Sequence, residues 1–276
     1  MGNVISKKRL CRNVVWMEIK AERVAAKAKP GQFVIVRVDE KGERVPLTIF
    51  QRNLDRGTVE LIFQEVGKTT LKLGRLNVGD SILDIVGPLG KPVQERHYGS
   101  VAVIGGGVGA AEAYPVAQAL KKAGNHVTAI LGARSADLLI LEEEFKVLAD
   151  EVYLTTDDGS KGLKGTVVDA LKDLITQRGK IDLVYAVGPA VMMKAVSEAT
   201  KPHGIRTLVS LNPIMVDGTG MCGSCRVSVG GETKLTCVDG PEFDGHEVDF
   251  EQLMARQRMY LEAEKKALQR FLEESP

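Results

Sequence analysis

Residues 101–110, Val-Ala-Val-Ile-Gly-Gly-Gly-Val-Gly-Ala, decide the fold of this chain. Their first four residues form a continuous apolar run, which is typical of a parallel strand buried on both faces. The glycines that follow fit the spacing Gly105-x-Gly107-x-x-Ala110 and open an Ala-rich helical stretch. A strand, a glycine loop and a helix in this order are the context of the dinucleotide-binding fingerprint. We therefore expect a Rossmann-like parallel-sheet domain whose loop, with Gly105, Gly107 and Gly109, holds nucleotide phosphates.

The residues around this loop extend the same pattern over 98–210. Short apolar runs at 127–131, 152–154 and 183–187 alternate with helical segments, which indicates an open α/β sheet. Gly188-Pro189 closes the last run, and the end of such a strand is where a nicotinamide ring would lie; a plain strand-to-helix turn is the alternative. Arg134 follows the second strand, where an acidic residue is common, and is a candidate contact for the adenosine ribose or a 2′-phosphate, unless it is simply solvated.

Residues 1–97 have the sequence pattern of an antiparallel β-barrel. Short β-branched runs such as 33–38 and 58–63 are separated by Gly and Pro turns. Two stretches, Arg44-Val45-Pro46-Leu47-Thr48 and Gly67-Lys68-Thr69-Thr70, combine cations, hydroxyls and backbone amides that suit a diphosphate. Either stretch alone is more often an ordinary turn.

Three of the four cysteines lie in the segment 211–248. The spacing Asp217-x4-Cys222-x2-Cys225-x11-Cys237 is that of a plant-type 2Fe–2S site whose first cysteine is replaced by aspartate. We expect all four side chains to ligate iron. Three cysteines and a carboxylate also suit tetrahedral zinc, for which His246 is a further candidate ligand. Beyond this segment, residues 249–276 read as one C-terminal amphipathic helix.

Composition excludes several classes of protein. The 37 Lys and Arg residues nearly cancel the 36 Asp and Glu residues, so no basic footprint for nucleic acid is present. No apolar run approaches the roughly 18 residues of a membrane span. The crowded cysteines do not resemble a disulfide framework, which favours a reducing cytoplasm.

Read in order, these motifs resemble the ferredoxin–NADP reductase superfamily. The resemblance rests on Pro30-Gly31-Gln32-Phe33, residues 44–48, 67–70 and 105–115, Gly87-Pro88-Leu89-Gly90 and Gly188-Pro189. It implies a flavin-binding barrel followed by a nicotinamide-binding domain. The ending Cys237-Val238-Asp239-Gly240-Pro241 narrows it to the branch holding the electron-transfer subunit of dihydroorotate dehydrogenase and the small subunit of NADH-dependent ferredoxin:NADP oxidoreductase.

Asp217 and residues 43–48 resemble the second of these more closely. That resemblance implies one FAD, an Asp/Cys3 2Fe–2S cluster, NAD(H), and a large glutamate-synthase-like partner subunit with which electrons are bifurcated among NADH, NADPH and ferredoxin. Two positions depart from the superfamily pattern: Val45 stands at the usual flavin arginine, and Val187 at the usual cysteine. The rival functions are the dihydroorotate dehydrogenase partner subunit and a zinc-stabilised nucleotide-binding regulator.

Overall fold

The structure is a computed structural model that describes residues 2–274, without the side chain of Arg178. Its described part contains two seven-stranded sheets and one two-stranded hairpin. The first sheet is antiparallel and is followed in the chain by a mainly parallel sheet flanked by helices.

The antiparallel sheet forms a nearly closed barrel, as expected. Its strands and helices are β1 (Gly2–Cys11), β2 (Val14–Lys20), α1 (Glu22–Ala25), β3 (Phe33–Arg37), β4 (Val45–Asn53), β5 (Thr58–Gln64), α2 (Lys68–Arg75), β6 (Ser81–Ile82) and β7 (Asp84–Leu89). The strand order is β6-β1-β2-β5-β4-β3-β7, and the two edge strands follow one another directly in the chain. Met17 pairs with Leu61 and Ile19 with Val59, and all four side chains are buried. Removing this apolar surface from water stabilises the barrel.

The parallel sheet confirms the α/β expectation. Its elements up to the cluster segment are β8 (Ser100–Gly106), α3 (Gly109–Lys122), β9 (His126–Ala133), α4 (Glu142–Leu148), β10 (Glu151–Thr156), β11 (Leu163–Lys164), α5 (Val167–Arg178), β12 (Leu183–Val187), α6 (Ala190–Thr200) and β13 (Arg206–Ser210). Strand β8 pairs with both β9 and β12, so the strand order reverses between β8 and β12. Ligands bind outside the carboxyl ends of the strands at such a switch point.

The cysteine segment is joined to both sheets. It contains β14 (Arg226–Val229), β15 (Glu232–Leu235), α7 (Thr236–Asp239) and β16 (Glu242–Asp244). Strands β14 and β15 form a hairpin between Cys225 and Cys237. Strand β16 pairs antiparallel with β13 at the edge of the parallel sheet.

The expectation of one C-terminal helix is wrong, because the chain forms α8 (Phe250–Gln257) and α9 (Leu261–Glu274) with a turn between them. Phe250 and Leu253 of α8 are buried in the apolar core beside the parallel sheet. Helix α9 instead reaches α2 of the barrel, where the Arg75 guanidinium lies 4.7 Å from the centre of the Phe271 ring. A straight helix cannot reach both places, so the backbone turns at Arg258. Within residues 2–274, no helix is both long and apolar enough to cross a membrane.

Candidate cofactor and cluster site

The glycine loop lies at the switch point, where the end of β8 meets the end of β12. Gly107 has a φ of 59°, in the left-handed region that glycine adopts readily, and its amide donates to the carbonyl of Gly132 at 2.8 Å. A Cβ on Gly109 would lie 2.9 Å from the carbonyl carbon of Val187. The two loops therefore meet backbone to backbone, which leaves the amides at the start of α3 near the crevice.

Gly188 and Pro189 lie on the other side of the same crevice. Gly188 follows the last residue of β12, and a Cβ on it would lie 3.1 Å from the carbonyl oxygen of Gly106. Pro189 is the residue immediately before α6. Arg134 is exposed directly after β9, the neighbour of β8 in the sheet. The structure thus brings the glycines together and places Arg134 one strand away.

The first candidate flavin stretch lies on β4 at the edge that pairs with β3. Pro46 pairs with Ile35, and Thr48 pairs with Phe33. Arg44 is exposed just before β4. Hydrogen bonds from Thr219 lower the pKa of Asp217, and the positive charge of Arg44 adds to this effect, so Arg44 faces the cysteine segment.

The second candidate flavin stretch forms the start of α2. The Thr70 hydroxyl accepts hydrogen bonds from the amides of Val66 and Gly67, both at 3.1 Å. Lys68 and Thr69 hold the carboxylate of Glu43, with Nζ to Oε1 at 3.0 Å and Oγ1 to Oε2 at 2.5 Å. Burial opposes ionisation of Glu43, yet the bonds from Thr69 and Lys68 outweigh it and lower its pKa. Because these side chains already hold an anionic group at a helix N-terminus, they fit a diphosphate.

Two of the cysteine thiols lie side by side. The Sγ atoms of Cys225 and Cys237 are 3.3 Å apart, and both residues are buried. Burial, followed by the neighbouring Cys225 thiol, raises the pKa of Cys237 to about 12. The metal-free thiol of Cys237 is therefore protonated at neutral pH, and binding iron must displace its proton.

Cys222 and Asp217 belong to the exposed loop that precedes Cys225. The Cys222 sulfur lies 3.1 Å from the Ser224 hydroxyl. The Asp217 carboxylate accepts bonds from the amide and hydroxyl of Thr219, at 2.8 and 2.6 Å, and from the amide of Met221 at 3.3 Å. Across residues 2–274, no three His, Cys, Asp or Glu side chains are gathered closely enough to hold a metal ion. Closing this loop on iron therefore requires Cys222 and Asp217 to turn towards the buried pair.

The loop is seated on the wall of the barrel. A Cβ on Gly218 would lie 2.7 Å from side-chain atoms of both Ile35 and Leu89. Phe33 and Ile35 form one apolar cluster with Cys225 and Cys237. An apolar shell of this kind limits solvent access to a metal site and so tunes its redox potential. The donor set of three thiols and a carboxylate therefore fits an iron–sulfur cluster beside the candidate flavin strands.

Three polar residues where the two sheets meet, Glu112, Tyr185 and Glu242, were not predicted from the sequence as site residues. The Thr48 hydroxyl donates to Oε2 of Glu112 at 3.0 Å, and burial raises the pKa of Glu112 to about 7. Burial also raises the pKa of Glu242 to about 7, against the opposing effect of Tyr185. A signal existed for Glu112, since it is the only acidic residue in the Ala-rich stretch 109–120.

Comparisons with known proteins agree with this layout. Three family models match: "Oxidoreductase FAD-binding domain" at residues 1–93, "Oxidoreductase NAD-binding domain" at 103–198, and "Iron-sulfur cluster binding domain of dihydroorotate dehydrogenase B" at 212–249. The last match overturns the zinc alternative. His246, its further candidate ligand, has Nε2 2.9 Å from the Thr200 hydroxyl.

Similarity extends over the whole chain. The dihydroorotate dehydrogenase B (NAD(+)) electron transfer subunit homolog of Thermotoga maritima is 49% identical over 272 residues, covering 99% of this chain and 96% of that protein. The electron transfer subunit of dihydroorotate dehydrogenase B from Desulforamulus reducens is 36% identical over 247 residues, covering 87% of this chain and 94% of that protein.

A solved structure is equally similar. It comes from a study of flavin-based electron bifurcation in the NADH-dependent reduced ferredoxin-NADP oxidoreductase, is 47% identical, has a TM-score of 0.93, and covers 99% of this chain and 98% of that chain. With its FAD-binding, NAD-binding and iron–sulfur domains in this order, the chain belongs to the family of dihydroorotate dehydrogenase B electron transfer subunits and their homologues.

Proposed function

We propose that this chain is the flavin and iron–sulfur electron-transfer subunit of an electron-bifurcating NADH-dependent ferredoxin:NADP oxidoreductase. It exchanges hydride with NAD(H) and single electrons with a partner subunit. The observation that carries the proposal is the seating of the cysteine segment on the barrel, where Cys225 and Cys237 share an apolar cluster with Phe33 and Ile35. This supports a cluster next to the strand that pairs with the candidate flavin strand β4.

The assignment of residues follows the three parts of the site. The proposed 2Fe–2S ligands are Asp217, Cys222, Cys225 and Cys237. Along the FAD we place Arg44, Pro46, Leu47, Thr48, Gly67, Thr69 and Thr70. The NAD(H) contacts are Gly105, Gly107, Gly109, Arg134, Gly188 and Pro189. A bound flavin takes up hydride as an electron pair and releases electrons singly to a one-electron cluster, and the residues of these three parts bind, align and shield the groups.

The proposed partner is a large glutamate-synthase-like subunit with its own flavin and clusters. Ferredoxin is a further proposed partner, which exchanges electrons with the assembled complex. Support comes from the whole-chain likeness to the bifurcating oxidoreductase structure, at 47% identity and a TM-score of 0.93. Asp217 at the first ligand position supports the same assignment. The free state of all four cysteines suits a reducing cytoplasm.

The first test is the composition of the chain purified without oxygen. We expect FAD, and iron and sulfide in equal amounts at two atoms of each per chain, with a reduced-state electron paramagnetic resonance signal of a 2Fe–2S cluster. A colourless, zinc-loaded chain would contradict the flavin and cluster assignments together. Four iron and four sulfide atoms per chain would indicate a 4Fe–4S cluster in place of the 2Fe–2S cluster and would not contradict the electron-transfer role.

A second candidate function is the electron-transfer subunit of a dihydroorotate dehydrogenase, favoured by the family model matched at 212–249. Co-purification from the native cell distinguishes the two. A glutamate-synthase-like subunit in stoichiometric amount supports the proposal, and a dihydroorotate dehydrogenase in its place supports the second candidate. Rates of flavin reduction by NADH and NADPH test the nucleotide choice, since the exposed Arg134 also suits a 2′-phosphate.

A further inference from the structure

Glu112 lies where the two sheets meet and is not among the proposed nucleotide or cluster contacts. It is in the first turn of α3, and its Oε2 accepts the hydrogen bond of the Thr48 hydroxyl at 3.0 Å. Thr48 belongs to the candidate flavin strand, and α3 packs against that strand. A carboxyl group therefore reaches the flavin side of the barrel from the nucleotide domain, through one hydroxyl.

The groups around Glu112 are few and uncharged or acidic. Thr48 faces it from β4, and Tyr185 from β12. Beyond Tyr185, on β16, lies Glu242, whose Oε1 is buried and has no hydrogen-bond partner among the described residues. Burial raises the pKa of Tyr185 well above its usual value, so its hydroxyl stays protonated.

This setting suits a group that gains and loses a proton near neutrality. Burial raises the pKa of Glu112 to about 7, and the Thr48 bond opposes that rise. A carboxyl that is half ionised at the working pH both accepts and returns protons efficiently. Although the carboxyl group is desolvated, the residue as a whole is only half-buried, so the proton has a short route to water.

We propose that Glu112, acting through the Thr48 hydroxyl, accepts the proton that must leave the flavin site when electrons pass from the flavin to the cluster. The inference rests on the proposed function. Hydride from NADH delivers two electrons and one proton; the two electrons leave one at a time to the cluster, and the Glu112 carboxylate forms an O–H bond with the proton and then releases it to water. Glu112 is thus a positioning residue that acts through Thr48.

The alternative is that the Thr48–Glu112 bond only fastens α3 to the barrel. Glu112→Gln separates the two roles, because the amide oxygen still accepts the Thr48 bond but carries no exchangeable carboxyl proton. Thr48→Ser keeps the relay hydroxyl, and Thr48→Val removes it. Glu242→Gln is the matched control, since Glu242 is a second buried carboxyl that lies on Tyr185 and not on Thr48.

The experiment uses the intact chain, with FAD content and the cluster signal checked first in every variant. The chain is reduced with NADH, and reoxidation of its flavin by the one-electron acceptor ferricyanide is followed in a single turnover between about pH 5 and 9. For the unaltered chain and Glu242→Gln, the rate rises with pH through about 7 and falls in heavy water. Thr48→Ser, which keeps the hydroxyl, should restore the pH dependence that Thr48→Val loses. For Glu112→Gln and Thr48→Val, the rate above that pH is slower by about a hundredfold, the low end of a general-base effect, and is independent of pH.

A second measurement, made on the chain without its flavin, accompanies the kinetic experiment. The infrared carboxyl absorption of the cofactor-free chain is titrated over the same range, and we expect Glu112→Gln to remove one group that ionises near pH 7. Chains that bind FAD and the cluster but show the same rate and pH profile in Glu112→Gln overturn the inference alone. Chains that bind no FAD overturn the proposed function, which the content check reveals separately.

Discussion

Gly109 lies directly against the backbone of Val187, where α3 leaves the glycine loop and β12 ends. A Cβ at this position would lie 2.9 Å from the carbonyl carbon of Val187 and 3.0 Å from the Cα of Gly188, and closer still to the Val187 oxygen. Two backbones that approach so closely leave no space for a side chain. The crevice at the switch point is therefore lined by backbone amides of both loops, as nucleotide phosphates require.

Replacing Gly109 with alanine tests this packing. The added methyl group meets backbone that cannot rotate away, and overpacking of this kind costs about 1–3 kcal/mol of unfolding free energy. We also expect weaker NADH binding, because the two loops must separate. Gly107→Ala is the matched comparison from the same loop: it has no heavy atom within 4 Å of its Cβ position, and only its φ of 59° is unfavourable. Chemical denaturation and NADH titration that give equal effects for both variants would contradict the close approach.

Thr70 should govern FAD retention through the start of α2. Its hydroxyl accepts hydrogen bonds from the amides of both Val66 and Gly67, and the residue is only 7% exposed. Thr70→Ala leaves those amides without their partner, and loss of such a cap costs about 1 kcal/mol. We expect the variant to lose FAD on dilution, measured as flavin fluorescence released with time. Thr70→Ser keeps the hydroxyl, so it should retain FAD; equal release from both variants would show that the cap does not order the flavin loop.

Asp217 separates a true iron ligand from a loop-ordering residue. Its carboxylate holds the loop through Thr219 and Met221 even without metal. If it also ligates iron, Asp217→Cys keeps a cluster but changes its reduction potential and its paramagnetic resonance signal, because thiolate is a softer donor than carboxylate. Potentiometric titration and spectra of the reduced chain measure both.

Asp239→Asn is the control for charge alone. Asp239 lies two residues after Cys237, and its carboxylate accepts the Leu235 amide at 2.7 Å. Its replacement removes a negative charge near the cluster without removing a proposed ligand, so the resonance signal should keep its shape. A signal and potential that stay the same in Asp217→Cys would show that Asp217 is not a ligand.

Sequence reasoning found the features that depend on local order. An apolar run followed by glycines at residues 101–110 was sufficient to predict a buried parallel strand, its loop and the following helix. The alternating and β-branched runs likewise predicted the barrel strands β3 and β5. The spacing of Asp217, Cys222, Cys225 and Cys237 predicted a single four-ligand site, and the sulfur atoms of two of its members, Cys225 and Cys237, lie 3.3 Å apart.

Features that depend on how separate elements dock were not accessible in this way. Thr48 and Glu112 are 64 residues apart, and their contact exists only because α3 packs against the barrel strand β4. The turn between α8 and α9 arises because the two helices pack against different elements, α8 against α6 and α9 against α2. Residues 249–274 contain no glycine or proline that would predict the end of a helix near Arg258. No local pattern encodes these relationships.

We expect Glu242 to make the stability of the folded chain depend on pH. Its pKa rises from the ordinary 4.5 to about 7 because it is buried beside Tyr185. Between these values the folded chain binds more protons than the unfolded chain, so this contribution to stability is complete below about pH 4.5 and is lost as the pH rises through about 7. For one carboxyl the loss is on the order of 3 kcal/mol. Glu112 acts with the same sign, so Glu242→Gln should remove about half of the combined fall.

Denaturant midpoints of the cofactor-free chain between about pH 5 and 8 provide the measurement. Glu251→Gln, a carboxyl that is exposed on α8, should leave the slope of stability against pH as it is in the unaltered chain. A double replacement of Glu112 and Glu242 by glutamine should flatten the curve further than either single change. If Glu242→Gln shows the same fall in stability as the unaltered chain, Glu242 is ionised in the folded protein, and water must reach its Oε1 atom, which has no hydrogen-bond partner within residues 2–274.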